Sequence, residues 1–263
     1  MAFKSPAEVV ETMGAACVVK TGLPWPKLLV SGFLAGAYIA IGGLLAIMIG
    51  KGIVPTVVGD IRYGGLGRFL FAAVFPVGLI LVVVAGAELF TGNTAILVPG
   101  VLSGRSPFRG LARNWALSYA GNFAGALFVA YALAYLTGLC AGEPYLGAVR
   151  AMAVEKTGLS FTAAFWRGVG CNWLVCLAVW LACSAEDVAG KILAVWFPIM
   201  AFVGLGFEHS VANMFFIPTG MIYGAEVGIG RFLVRNLLPV TLGNIVGGAF
   251  FVGFISWWLY RRP

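Results

Sequence analysis

Apolar positions in this chain come in long unbroken runs rather than alternating with polar ones. Six uncharged stretches, 28–50, 69–87, 114–142, 168–185, 192–207 and 236–260, lie near the roughly 20 residues that a helix needs to cross a bilayer. The fourth extends back to about Phe161, past Arg167. The pattern predicts six membrane-spanning helices. Two shorter apolar runs, 89–104 and 210–225, each trail a span directly; Glu88 parts the first from its span, and Glu208 with His209 parts the second. Ahead of the first span, residues 5–20 read as a short amphipathic helix. Ser5 is its N-cap, Pro6 lies in its first turn and Glu8 completes a capping box. Its apolar side is expected on the membrane surface or on the end of the bundle.

Composition sharpens this picture. The 263 residues are 61% hydrophobic and 10% charged, with a mean hydropathy of +0.98. A soluble domain carries about a quarter charged residues, so residues 1–263 are read as one all-α integral membrane domain. Within it, 1–27 form the N-terminal amphipathic helix, 28–142 a first repeat, and 143–263 a second repeat with a short tail. The net charge of +7 does not signal nucleic acid, because the basic residues stand singly or in short clusters between apolar runs. The five cysteines form no CxxC pair and have no histidine at ligand spacing, so no metal, disulfide framework or cofactor is expected. Residues 1–27 carry Lys4, Glu8, Glu11, Lys20 and Lys27 and are not read as a signal peptide. An even number of spans puts both termini on one face. Nine Lys and Arg on that face (Arg262 among them) against seven opposite lean it towards the cytoplasm of a cell membrane.

The two halves of the chain repeat one another. ELFTGN at 88–93 is followed by an apolar run and then Pro99 and Gly100; EHSVAN at 208–213 is followed by another and then Pro218 and Gly220. Further on, Arg113-Asn114 precedes GNFAGALFVAY from Gly121, and Arg235-Asn236 precedes GNIVGGAFFVG from Gly243. The offsets are 120 for the first pair and 122 for the second. Three spans per unit is an odd number, so the second copy enters the membrane in the opposite direction. Inverted repeats of this kind place the site near the midplane, where discontinuous helices meet. Thr91-Gly92-Asn93 is read as the interruption in the second span of the first unit, and Gly206 to His209 as that in the middle span of the second. Non-helical backbone at this depth needs protein or water to satisfy it, so each break implies a polar cavity.

His209 is the only histidine. An ionisable group at bilayer depth costs about 2.5–3.5 kcal/mol even on lenient insertion scales, which favours a pathway role. Glu208 lies about 100° around a helix from it. Glu208 and Glu88, accompanied by Asn213 and Asn93, are read as structural acceptors for N–H groups freed by the breaks.

GFEHSVANMFFIP, AELFTGN, NWLVCLAVW at 172–180, Lys156 and LLPVTLGNIVGG at 237–248 resemble the signature segments of the formate/nitrite transporter family. The resemblance implies an aquaporin-like protomer in a homopentamer, each protomer with its own pore for a small monovalent anion. It puts Phe75, Leu79, Leu89, Phe90 and Phe202 at apolar constrictions, and Thr91, His209, Asn172 and Lys156 at the polar pathway positions. It also makes Thr91–Gly92–Asn93 a mobile gating loop. Apolar rings impose a large desolvation cost on a bare anion. Formate, with a carboxyl pKa of roughly 3.5–4, escapes that cost once protonated. An imidazole, with an ordinary pKa near 6.5, suits the exchange. Thr91 and Asn172 would donate hydrogen bonds to the anion, and Lys156 would draw it in. Nitrite and hydrosulfide are conjugate bases of weak acids and suit the same pore.

An intramembrane hydrolase is disfavoured. No HExxH, partnered GxSx or paired membrane aspartate is present. A neutral water or polyol channel shares the inverted plan, but both Asn-Pro-Ala boxes are missing.

Overall fold

The structure is a computed structural model that describes residues 3–53, 57–58, 61–62 and 64–261; Arg262 lies outside them. Helices joined by π-helical turns are continuous, as are Gly64–Val74 and Val77–Ala85 across the turn at Phe75 and Pro76. In chain order they are α1 (Pro6–Gly22), α2 (Trp25–Lys51), α3 (Gly65–Ala85), α4 (Phe90–Leu102) and α5 (Phe108–Tyr135). There follow α6 (Tyr145–Gly158), α7 (Phe161–Ser184), α8 (Val188–Leu205), α9 (Ser210–Ile222) and α10 (Ile229–Tyr260). Among the described residues, strand pairing is confined to Val57–Val58 against Ile61–Arg62 and a bridge between Phe3 and Ala185.

Six of these helices, α2, α3, α5, α7, α8 and α10, are long and apolar enough to cross a membrane. They outrun the charge-free windows: α5 takes in Arg109 and Arg113, α7 takes in Arg167, and α10 takes in Arg231 and Arg235. Long basic side chains near a helix end keep their charge in water while the stem lies along apolar surface. The third span stops at Tyr135, short of the 142 expected, where turns begin and Gly138 adopts a φ of 72°. The short helices α4 and α9 have 13 residues each, about 20 Å at 1.5 Å per residue. They are too short to cross a hydrocarbon core of about 30 Å. Every residue of α9 from Ser210 to Gly220 is buried, so the half-helices form the centre of the bundle and the six spans surround them.

The breaks are built alike. α3 ends at Gly86 (φ 79°) and α8 at Gly206 (φ 75°), the left-handed conformation that glycine adopts without a Cβ penalty. Three residues then lead into α4 or α9. The first interruption therefore falls at 86–89, not at Thr91-Gly92-Asn93. Those three residues form the first turn of α4 and are helical, not a loop.

The inverted repeat is more extensive than the sequence reading had it. α1 to α5 correspond to α6 to α10, with offsets of 136 for the first two helices (Gly22 to Gly158), 120 for the next two (Gly86 to Gly206) and 122 for the last (Asn114 to Asn236). The amphipathic helix α1 is thus the counterpart of α6, and the first unit begins with it rather than at residue 28. Ser5 and Glu8 cap α1 as expected, with the Ser5 backbone N–H donating to Glu8 Oε2 at 2.7 Å. Its buried Val9 and Met13 pack on Ala95 of α4 and Cys176 of α7, so it lies against the bundle. The drop from 136 to 120 means that equivalent positions of α2 and α3 lie 16 residues further apart in the chain than those of α7 and α8.

Close approach of the spans rests on equivalent glycines. A Cβ on Gly125 of α5 would collide with the Phe33 carbonyl of α2, and one on Gly247 of α10 with the Val169 carbonyl of α7. Lipid supplies no hydrophobic drive for helices to associate, so small residues at the contact carry the packing.

Candidate pathway at the helix breaks

Each break is fastened by the same set of residues. At the first, Glu88 Oε1 accepts from Lys20 Nζ (2.7 Å) and Oε2 from the Asn93 and Asn114 amides (2.8 and 3.2 Å). At the second, Glu208 Oε1 accepts from Lys156 Nζ (2.9 Å) and Oε2 from the Asn213 and Asn236 amides (2.7 and 3.2 Å). Within each cluster the asparagines are joined to one another, Asn93 to Asn114 and Asn213 to Asn236. A buried carboxylate is tolerated only when paired and hydrogen-bonded, and both meet that condition.

The freed backbone is satisfied by other residues. Asn122 Oδ1 accepts from Phe90 N (2.9 Å), and its Nδ2 donates to the Gly32 and Glu88 carbonyls. Asn244 does the same for Ser210 N (2.9 Å) and the Gly168 and Glu208 carbonyls. Glu88 N and Glu208 N donate to Ser31 O and Arg167 O. The expected role of Glu88 and Glu208 is corrected accordingly. Their carboxylates bind side chains that clamp the breaks, while Asn122 and Asn244 hold the exposed backbone.

Thr91 and His209 come together from the two repeats, with Oγ1 and Nε2 2.9 Å apart. Nδ1 of His209 accepts from Ala212 N at 3.1 Å and so caps α9. In a neutral ring the hydrogen therefore sits on Nε2 and is donated to Thr91. Asn172 is fully buried against Thr91. Its Nδ2 donates to Thr91 O, Thr94 Oγ1 and Asn244 O, which leaves no amide hydrogen for an anion. A Cβ on Gly92 would meet Val179 at ordinary contact distance.

The apolar positions are all buried. The Phe75 and Phe202 rings meet edge-on with centroids 5.8 Å apart, and Phe202 stacks on the His209 imidazole at 5.9 Å. Phe75 stands at the Pro76 kink of α3, where proline cannot continue the helical hydrogen bonding. A cavity of about 720 Å³ opens above these rings, with Phe75, Phe202 and His209 in its lining; Leu79, Leu89, Phe90 and Thr91 lie beyond it. Lys51, Arg68, Lys156 and Arg167 also line it, against Glu155 and Glu208. The ammonium of Lys156 is committed to Glu208 and also lies 5.7 Å over the Phe216 ring. Among the described residues, the Arg68 and Arg167 guanidinium groups have no ion-pair partner. The cavity thus presents net positive charge to solvent.

Sequence reasoning missed Lys20, Asn122, Asn244, Arg68 and Arg167 as site residues. Asn122 and Asn244 had a signal in the repeat, since they stand 122 positions apart, the offset of the second motif pair. Among the described residues no cluster of His, Cys, Asp or Glu is arranged to hold a metal.

Paired broken helices around a positively charged cavity define a membrane transport protein. A family model described as formate/nitrite transporter matches residues 7–258, and the chain belongs to that family, which is one of transporters and channels rather than enzymes. It is 49% identical to a probable formate transporter of Methanothermobacter thermautotrophicus, over 99% of this chain and 98% of that protein. It is 43% identical to the formate channel BtFdhC of Bacillus thuringiensis, over 100% and 98%. Among solved structures, an FNT family ion channel superposes with a TM-score of 0.84 at 31% identity, covering 97% of this chain and 99% of that one. A pentameric formate channel with formate bound gives 0.75 at 32%, covering 90% and 97%.

Proposed function

We propose that this chain assembles as a homopentamer in the cell membrane, with both termini cytoplasmic, and that each protomer conducts formate in a proton-linked passage at His209. The observation that carries the reading is the Thr91–His209 pair, 2.9 Å apart beneath the Phe75–Phe202 contact at the floor of the basic cavity. The names of the relatives and the formate-bound pentamer support formate as the substrate and five as the subunit number.

Formate gathers in the cavity, where positive charge raises its local concentration. Beyond the Phe75–Phe202 rings a bare carboxylate would lose its hydration without replacement. A proton passed to the carboxylate at or near His209 leaves neutral formic acid, which crosses the apolar segment lined by Leu79, Leu89 and Phe90. The proton comes from water on the cavity side, and the imidazole stays neutral with its hydrogen on Nε2 throughout. Thr91 receives the Nε2 hydrogen and keeps its own hydroxyl hydrogen for a solute oxygen.

Formate flux into liposomes is expected to rise as pH falls from about 7 to about 5, because protons to neutralise a carboxylate of pKa roughly 3.5–4 held near His209 become more abundant. In His209→Asn the rise is lost. A His209→Asn variant that keeps both the wild-type rate and the wild-type rise overturns the proton linkage at His209. Nitrite and hydrosulfide fit the same chemistry; a competitive panel with formate, acetate and lactate at two pH values ranks them. Glycerol swelling without formate flux would mark a neutral-solute channel instead.

A further inference from the structure

Phe90 is held on three sides. Its backbone N–H is fixed by Asn122 Oδ1 at 2.9 Å. Its ring meets the Tyr119 ring edge-on, with centroids 4.8 Å apart at 78°, and the Trp115 ring at 6.2 Å and 82°. Trp115 is itself anchored by its indole N–H on Asn93 O at 3.2 Å. Tyr119 is anchored across the repeat boundary, where its hydroxyl and Thr241 Oγ1 lie 2.8 Å apart.

Tyr119 and Thr241 are 122 positions apart, the offset that relates α5 to α10. They are therefore equivalent residues of the two repeats, and equivalent residues touch only on the axis that relates them. The hydrogen bond ties α5 to α10 at the pseudo-two-fold axis, one contact away from Phe90. Both hydroxyls are partly buried among apolar groups, so an unpaired one is costly and each holds the other in place. The chain of contacts runs from the axis through the Tyr119 ring to Phe90.

We propose that Tyr119 and Thr241 are positioning residues for size selectivity: their hydrogen bond fixes the Tyr119 ring, which holds the Phe90 ring and so sets the width of the pathway on the α4 side. A wider pathway there would favour carboxylates larger than formate by one methyl group or more. This rests on the reading of Phe90 as a pathway residue.

The test is the ratio of acetate to formate flux in proteoliposomes for the wild type, Phe90→Ala, Tyr119→Phe, Thr241→Val, the Tyr119→Phe/Thr241→Val double variant and Thr241→Ser. The ratio is expected to rise in Phe90→Ala. It should rise roughly threefold to tenfold, the span of an edge-to-face aromatic contact, in both Tyr119→Phe and Thr241→Val. The double variant should go no further than either single, since all three remove one bond. Thr241→Ser keeps a hydroxyl and the wild-type ratio. An unchanged ratio in the two single variants beside a raised one in Phe90→Ala overturns the positioning role and spares the pathway reading. An additive double variant, or a raised ratio in Thr241→Ser, overturns it also. No change in Phe90→Ala removes Phe90 from the pathway, and the inference with it.

Discussion

Leu89 and His209 are equivalent residues, each in extended backbone one step before a half-helix, yet only one of them caps its helix with a side chain. Leu89 has φ −92° and ψ 119°, and His209 has φ −108° and ψ 117°. The inverted repeat supplies the same backbone twice, and the chemistry of the pathway arises where its copies differ. His209→Ala removes the acceptor for Ala212 N and should cost about 0.5–2 kcal/mol, the usual loss of an N-cap. His209→Asn restores a good cap and should unfold near the wild-type temperature in detergent. Thermal unfolding of the two variants separates the structural duty of this residue from its transport duty, because flux should fall in both.

Lys156→Met leaves the Glu208 carboxylate buried against two amides and no cation. Breaking a buried pair from one side costs up to about 3–5 kcal/mol. Adding Glu208→Gln should return part of that stability, with the same signs for Lys20→Met and Glu88→Gln. A double-mutant cycle on chemical unfolding checks the coupling; stabilities that simply add would show that the ammonium and carboxylate do not support one another.

Gly125→Ala and Gly247→Ala each force a methyl group against a carbonyl of the neighbouring span. Overpacking of this kind costs about 1–3 kcal/mol. Both should lower the unfolding temperature of the purified protein, whereas Gly65→Ala, where a Cβ meets nothing within 4 Å, should leave it unchanged.

Arg68→Gln and Arg167→Gln remove charge from the cavity without touching its floor. Formate uptake at low concentration should fall several-fold at low ionic strength, with little change at saturating formate. The difference from wild type should shrink as salt approaches about 0.15 M, where charges more than about 8 Å apart are screened. Flux against formate concentration at two salt levels measures it. A loss that is equal at both would point to a structural role for these arginines.

The spans were legible because a bilayer demands long uncharged runs, and 28–50 and 236–260 have no other use. Their ends were not, since Arg113 and Arg235 look like terminators yet stand inside continuing helices, Arg113 donating to the Thr21 and Leu23 carbonyls at the end of α1. The pairing of Glu88–Asn93 with Glu208–Asn213 was visible as a repeated motif. The position of the first break was misread because Thr91-Gly92-Asn93 looks like a turn. Asn93 is instead satisfied within a helix by Glu88 and Asn114, and the real signal was Gly86, matched by Gly206. Lys20 looked like a surface anchor. Only folding shows that it reaches the first break as Lys156 reaches the second. Asn172 carries polar atoms at the right depth, but which way its amide donates depends on Thr94 and Asn244, more than 70 positions away in each direction.

Two carboxylates at membrane depth would ordinarily offer sodium or potassium a place to shed water. Here neither is on offer. Every oxygen of Glu88 and Glu208 already receives an ammonium or an amide hydrogen, and what each break turns towards its surroundings is donors. A cation that passed Glu155 in the cavity would meet guanidinium groups, then phenyl rings, then an N–H, with no further free carboxylate among the described residues on the way. The same fastening that keeps the helices broken thus makes the protein a poor leak for the ions that sustain the membrane potential.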